Sequence, residues 1–411
     1  MRFNKTTLAI LLGLSLFQGV SQAAPVLSLD NTHAESIAAT NNAWVEINTT
    51  TFENNIHTLQ KKLNNGTKMC AVLKGDAYGH GLGLLMPSII KTGVPCVGIT
   101  SNEEARIVRE SGFKGQLLRV RTADIAEIES TLGYEMEEMI GDLDHAKAID
   151  ALAKKHGKEI RVHLMLNTGL MSRNGLEMKT EQGKQEALEI AQLPNLKLVG
   201  MMSHHAFTGM DAIRDSIKNF QEQTSWLIKT ANLKRDEITL HASSSFASLS
   251  LPEAQFDMAR VGSALYGILT ASHPEFKPLI EVKTRVASVK PYPKGNGVGY
   301  DNTHILKRDS KLANLPVGFS DGFSSALSNK AYVLINGHRA PVVGSVSMNT
   351  VMVDVTDLPD VKSGDEVVIF GKQGNDEITQ SDIQKWAGMH VVEFSSIWGE
   401  TNPRIVVTTD K

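Results

Sequence analysis

The sequence predicts an α/β chain with an added β part: an N-terminal (β/α)8 TIM-type barrel over residues 44–272 and a C-terminal mostly-β domain over residues 273–411. Three observations carry that expectation. From residue 44 to about residue 268, short apolar runs alternate with segments of helical period, the pattern of βα units around a parallel sheet. Eight strand-like runs fit into that stretch, and eight parallel strands over about 220 residues favour a closed barrel over an open sheet. Beyond about residue 272 the texture changes to β-branched runs broken by Gly, Pro and Asn.

The first residues stand apart from the fold. Arg2 and Lys5 precede an apolar run over 8–17 that ends in small residues around Ser21 and Ala23, which reads as a secretory signal (1–23) cleaved before Ala24. An N-terminal extension (24–43) follows. The apolar run is shorter than the ~20 residues a membrane helix needs, and no later stretch qualifies. The mature chain is therefore expected to lack a membrane span and to work outside the cytoplasm, in the periplasm of a Gram-negative cell.

Barrel strands are expected at 69–73, 96–100, 116–120, 135–140, 162–166, 198–203, 238–241 and 256–261, and helices over 144–155 and 211–231. Ser101 and Glu104 have capping-box spacing, which opens another helix. The β domain is expected to use 280–289, 311–316, 331–335, 351–355 and 366–370, with a hairpin turn at Asn336-Gly337.

Composition narrows the function classes. Of 411 residues 41% are apolar, enough for more than one core. The 42 basic and 45 acidic side chains nearly balance, with no Lys/Arg block, so nucleic acid and anionic membrane are poor partners. The two cysteines, Cys70 and Cys96, lie in strand-like runs without CxxC spacing, which argues against a metal site. Export permits a disulfide between them; two buried thiols are the alternative.

In a barrel, chemistry collects just past the C-terminal ends of strands. The first strand runs into Lys74-Gly75-Asp76-Ala77-Tyr78-Gly79-His80-Gly81. A lysine emerging from an apolar strand is partly buried, which lowers its pKa and makes it a nucleophile towards carbonyls. The plainer alternative is a lysine that reaches solvent or pairs with Asp76. At the seventh strand's end, Ser243, Ser244 and Ser245 open a short helix, and the eighth ends in Arg260-Val261-Gly262-Ser263. Loops after strands seven and eight commonly hold phosphate; either run alone is more often a helix cap, and the two together favour a phosphate. His204 and His205 close the sixth strand; without an acidic or thiol partner, His204 reads as a hydrogen-bonding group.

These runs, in this order, resemble the alanine racemase family over nearly the whole mature chain. The resemblance implies pyridoxal 5'-phosphate (PLP) as cofactor, bonded covalently to Lys74, with the phosphate held by Tyr78, Ser245 or Ser244, Gly262 and Ser263. Arg260 matches the arginine facing the ring nitrogen, with His204 as its neighbour. The run Leu170-Met171-Ser172-Arg173-Asn174-Gly175 resembles that around the arginine binding the substrate carboxylate. Gly297-Val298-Gly299-Tyr300 resembles the catalytic-tyrosine motif, and Gly344-Ser345-Val346-Ser347-Met348 the methionine loop at the substrate. In this family both come from the partner subunit, so the resemblance implies a head-to-tail homodimer.

Racemisation needs an acid/base on each face of a planar intermediate: Lys74 on one, Tyr300 on the other. A free tyrosine (pKa ~10) is a poor base near neutrality, so Arg260 and a protonated His204 are expected to lower it. A permanently charged Arg260 also disfavours a proton on the ring nitrogen, which separates a racemase from decarboxylases of the same architecture. A non-catalytic PLP-binding protein would need Lys74 and the phosphate loops but not Tyr300, Arg173 and the Met348 loop.

Departures from the family are specific. Where many members carry a lysine that orients the carboxylate-binding arginine, this chain has Met165, with Asn167 close by. Asn167 or a bound anion such as chloride is then expected to balance Arg173. Phe319 replaces a tyrosine, Asn349 an aspartate, and Trp398 stands near the place of a C-terminal phosphate-binding tyrosine. The pattern resembles the periplasmic broad-spectrum racemases, which implies basic or larger amino acids beside alanine. Arg119 and Arg121 at the third strand's end, with Asn174, are candidate substrate contacts.

Overall fold

The computed structural model describes residues 31–170, 173–205 and 209–408. The signal segment and its cleavage site lie outside these residues, as do Met171 and Ser172 of the arginine run.

A helix at Asn31–Thr40 precedes β1 (Ala43–Asn48), and eight parallel barrel strands follow: β2 (Lys68–Val72), β3 (Cys96–Ile99), β4 (Gln116–Arg119), β5 (Glu138–Ile140), β6 (Ile160–Met165), β7 (Leu196–His205), β8 (Thr239–Ser243) and β9 (Met258–Val261). They form two parallel sheets, β4-β3-β2-β9 and β5-β6-β7-β8. One seam is bridged by backbone, with Glu137 donating to Leu117 O (2.9 Å) and accepting from the Arg119 N–H (3.0 Å). At the other, the Asp257 N–H reaches Leu240 O (3.1 Å) and its carboxylate accepts from the Leu240 N–H (2.7 Å). The strands thus follow each other in barrel order, with the ladder thinned at both seams.

The helices form where the pattern places them. Leu143–Lys155 and Met210–Thr230 bury apolar stripes, and Ser101 and Glu104 form a reciprocal capping box. The barrel interior holds Cys70, Cys96, Leu118, Met139, Met202 and Met258. Cys70 and Cys96 lie opposite each other on β2 and β3, fully buried and joined as a disulfide.

The C-terminal part contains β10 (Ile280–Arg285), β11 (Ser288–Tyr292), β12 (Gly297–Val298), β13 (His304–Ile305), β14 (Ser310–Leu315), β15 (Tyr332–Ile335), β16 (His338–Pro341), β17 (Val351–Asp354), β18 (Glu366–Gln373), β19 (Asp376–Ile378) and β20 (Arg404–Val407). The run expected at 280–289 is two strands, because the chain changes sheets at Val286 and Ala287: β10 pairs with β18, and β11 with β14. Asn336 and Gly337, at φ +52° and +78°, make the two-residue turn between β15 and β16.

One boundary needs correction. β1, counted with the barrel in 44–272, pairs antiparallel with β10 and parallel with β20, inside the C-terminal sheet β16-β15-β18-β10-β1-β20. Apart from half-buried Glu46 its residues are all buried, and a strand covered on both faces has the same apolar texture in a barrel wall as at a sheet centre. The barrel is therefore an insertion between two strands of the second domain.

Candidate active site

At the end of β2 the backbone turns the unusual way. Gly75, Asp76, Ala77, Tyr78 and Gly79 all have φ between +50° and +82°, a left-handed turn directly after Lys74. Left-handed geometry costs about 1–2 kcal/mol for each non-glycine residue, so the turn persists because its surroundings over-determine it. The Asp76 carboxylate pairs with Arg404 of β20 and accepts from the Leu82 N–H (2.6 Å). The Asp76 N–H donates to Glu104 (3.0 Å), the His80 ring to Ala77 O (2.9 Å), and the Ser395 hydroxyl to Tyr78 O (2.9 Å). Asp76 is thus committed to Arg404, which removes it as the partner of Lys74. Burial, reinforced by Arg173 and Arg260 and opposed by Glu104, lowers the Lys74 pKa.

Lys74 lines a cleft of about 650 Å³ together with Tyr78, Arg173, His204 and Arg260. Ser244, Ser245, Gly262 and Ser263 also line it. Burial pushes the Tyr78 hydroxyl up to about 12, so it is a donor at neutral pH. A Cβ on Gly262 would lie 2.6 Å from that hydroxyl, so only glycine lets it approach the β9 turn. Ser245 Oγ accepts from the Gly262 and Ala264 N–H groups (3.0 and 3.2 Å), while Ser244 caps the six-residue helix Ser245–Ser250 and donates to His205 O. A phenol, the hydroxyls of Ser245 and Ser263 and a bare glycine turn make a donor set of the right chemistry for a phosphate monoester.

Arg260 is nearly fully buried. One terminal nitrogen donates to His241 Nδ1 (2.6 Å) and His241 O (2.9 Å), the other to Ser203 O (2.7 Å) and His204 Nδ1 (3.3 Å). Burial lowers Arg260 to about 10, which leaves it charged at neutral pH. Burial, with Arg260, Arg173 and Lys74 adding to it, takes His204 to about 3. The expected protonated His204 is corrected on this ground: it is a neutral acceptor and supplies no positive charge for Tyr300.

Arg173 is exposed and lines the cleft, and among the described residues no carboxylate lies within ion-pair distance of it. Asn167 does not balance it, for its amide donates to Glu177 (2.8 Å) and its oxygen accepts from the Gly169 N–H (3.1 Å). Asn174 bonds Thr122 (3.1 Å) outside the cleft lining. Met165 and Met202 give the cleft an apolar wall.

Arg119 is corrected outright. It is fully buried, paired with Glu138 (2.8 Å) and bonded to Thr100 O, Asn102 and Thr131. A guanidinium withdrawn from water places its donors on local acceptors, and Arg119 lies outside the cleft lining, away from any substrate there. Arg121 pairs with Glu127 and lies outside the cleft lining.

Tyr300 and Met348 are not brought to the cleft of their own chain. They are 73% and 58% exposed, and Phe319 is 48% exposed beside them. Ser345 donates to Tyr300 O (3.0 Å), and Met348 O accepts from the Ser320 N–H (3.1 Å), so all three belong to one knot of loops. Trp398 is buried, donating to Gly322 O (3.0 Å). Sequence reasoning missed His390, which with Val392 brings the C-terminal domain to the cleft. It also missed Glu104 beside Lys74, since a capping box accounts for that glutamate fully.

The comparisons agree with this geometry. Residues 47–270 match the alanine racemase N-terminal domain and residues 279–406 the alanine racemase C-terminal domain. A broad specificity amino-acid racemase of Pseudomonas taetrolens is 54% identical over 99% of each chain. A lysine racemase of Proteus mirabilis is 47% identical over 90% of this chain and 91% of its own. The solved alanine racemase of Clostridium difficile 630 superposes with a TM-score of 0.84 at 26% identity, over 90% of this chain and 97% of that one. That of Bartonella henselae, solved with covalently bound pyridoxal phosphate, shares the fold at 23% identity, with a TM-score of 0.79 over 89% of this chain and 99% of that one. Both domain models and full-length relatives thus coincide with a cleft built on a lysine, a buried arginine and phosphate-type donors, and the chain belongs to the alanine racemase family as an amino-acid racemase.

Proposed function

We propose that this racemase has broad specificity, acting on basic amino acids as well as alanine, and that it does so with two bases from two subunits. The observation that carries the two-subunit reading is the separation of Lys74, set in the cleft, from Tyr300, 73% exposed on the other domain; the broad specificity is supported by the similarity to the broad specificity and lysine racemases. A head-to-tail homodimer would lay the Tyr300 and Met348 loops of one copy over the cleft of the other.

Pyridoxal phosphate, when bound, supplies the electron withdrawal that acidifies the Cα–H bond. The chain's own residues do the rest. Tyr78, Ser244, Ser245, Gly262 and Ser263 hold the phosphate, and Arg260 keeps a positive charge at the ring nitrogen. Arg173 takes the substrate carboxylate. Lys74, whose lowered pKa leaves more of its amine unprotonated near neutrality, moves the proton on one face, and Tyr300 of the second copy moves it on the other. The signal-like run over residues 1–23 supports export, so that D-amino acids would be made in the periplasm.

The test is incubation of the purified protein with single L-amino acids in D2O, following optical rotation and deuterium at Cα. Loss of rotation with deuterium uptake is expected for alanine and for lysine or arginine. Carbon dioxide release without D-isomer would replace the reading by a decarboxylase. Exchange with alanine alone would remove the broad specificity.

A further inference from the structure

A row of polar side chains crosses the barrel interior below the cleft. His241 Nε2 lies 2.7 Å from His163 Nδ1, and His163 Nε2 lies 2.7 Å from Glu137 Oε2. With the bond from Arg260 to His241 Nδ1 at 2.6 Å, this makes a continuous path from the cleft towards the opposite mouth of the barrel, where Glu137 also meets Gln116 and Arg161. His163 and His241 are fully buried, and Arg260 and Glu137 are 5% and 4% exposed.

The direction of every bond is fixed by chemistry. An arginine only donates, so His241 Nδ1 accepts and the neutral ring carries its proton on Nε2. That proton goes to His163 Nδ1, which must accept, leaving the His163 proton on Nε2. A carboxylate only accepts, and Glu137 receives it. Both ends enforce the same polarity, with a cation at the cleft and an anion at the far end. We infer that Glu137, acting through His163 and His241, is a positioning residue that holds Arg260 as a charged, fixed donor at the cleft.

Two independent observations agree with this. His163 on β6 crosses β7 to reach His241 on β8, and Gly200 on β7 makes the opening: a Cβ there would lie 2.1 Å from His163 Nδ1. The charge states also fit. Burial, with Arg260 adding to it, keeps His241 far below its usual pKa and so neutral, as the chain requires. Burial raises Glu137, but hydrogen bonds from His163, Gln116 and Arg161 outweigh it and hold the carboxyl at about 2. In so dry a setting such a chain is strengthened along its length.

The role at the ring nitrogen rests on the racemase reading; the chain itself can be tested apart from it. Nitrogen NMR of the histidine-labelled holoenzyme should show His163 and His241 both protonated on Nε2. Glu137→Gln places at the far end a group that can donate as well as accept. It should shift the ring nitrogens of His241, which residue 137 does not touch, and lower kcat about tenfold, the low end of what losing an outer-shell partner costs at metal sites. KM should change by less than about twofold, as for loss of an interaction made in the transition state. Gly200→Ala should do the same by displacing His163 without altering any ionisable group, and it decides the matter if Glu137→Gln does not fold. The inference is overturned by an Nδ1 proton on either ring of the wild type, or by a folded, cofactor-loaded variant whose His241 signals stay in place. Absence of racemisation in the wild type would sink the racemase reading while leaving the NMR result to judge the chain.

Discussion

The cleft wall around Lys74 and the loop knot around Tyr300 are built on opposite principles. Around Lys74 a left-handed turn is pinned by an ion pair, a buried carboxylate and a disulfide-linked strand pair. Around Tyr300 the side chains stand in solvent, on backbone held mainly by serines and an asparagine. The first region is complete in one chain; the second has the form of a surface made for something else to cover. An enzyme that needs a base on each face of its substrate can thus take each base from a different copy.

The largest effect is expected from the first region. Lys74→Ala should abolish covalent cofactor absorbance and cut Cα deuterium exchange by about a thousandfold or more. Tyr300→Phe should keep the absorbance and lose about 10²–10⁴-fold in proton transfer on one face. The comparison is sharpest when the two are combined in different chains. A mixed dimer of Lys74→Ala and Tyr300→Phe subunits holds one intact Lys74/Tyr300 pair, so activity should reappear on mixing; if it does not, the two-chain site is wrong.

Stability effects follow. Arg119→Ala strips a buried Glu138 of its partner and should cost about 3–5 kcal/mol in urea unfolding without changing KM in whatever enzyme survives. Acid should act through the buried histidines of the barrel side. His204 is depressed to about 3 and His80 and His205 to about 4, chiefly by burial. Between about pH 6.5 and those values the unfolded chain binds protons that the folded one refuses, so stability falls as pH drops, by up to ~1.4 kcal/mol per unit for each group. A urea midpoint unchanged from pH 7 to pH 5 would contradict their neutrality. The smallest effect belongs to Arg121→Ala, within about 0.5 kcal/mol, because its pair with Glu127 is well exposed.

What the sequence made legible follows the same divide between local and distant causes. A strand end is a local event, an apolar run stopped by a lysine or a glycine, and so Lys74, Ser245 and Gly262 could be located without coordinates. Asn336-Gly337 and the Ser101/Glu104 box are equally local, since a turn type or a cap is set by two to four neighbouring residues. The misreadings depend on what lies across a gap. Arg119 looks like any strand-end cation until Glu138 of the next strand is beside it. His204 looks ready to titrate until its burial, beside Arg260 and Arg173, is known. Residues 44–48 fall within the barrel boundary until the partners of β1, more than 200 residues away, are known.

That last pairing sets a timetable for the enzyme. β20, the final strand, lies beside β1, the first, and carries Arg404, which closes on Asp76 to secure the turn after Lys74. A growing chain can fold most of its barrel early, but contacts of such long sequence separation form late. The last of the contacts that hold the turn after the reactive lysine therefore closes only when the whole polypeptide has been delivered, and a chain cut short before Arg404 would carry the nucleophile on a turn lacking its ion pair.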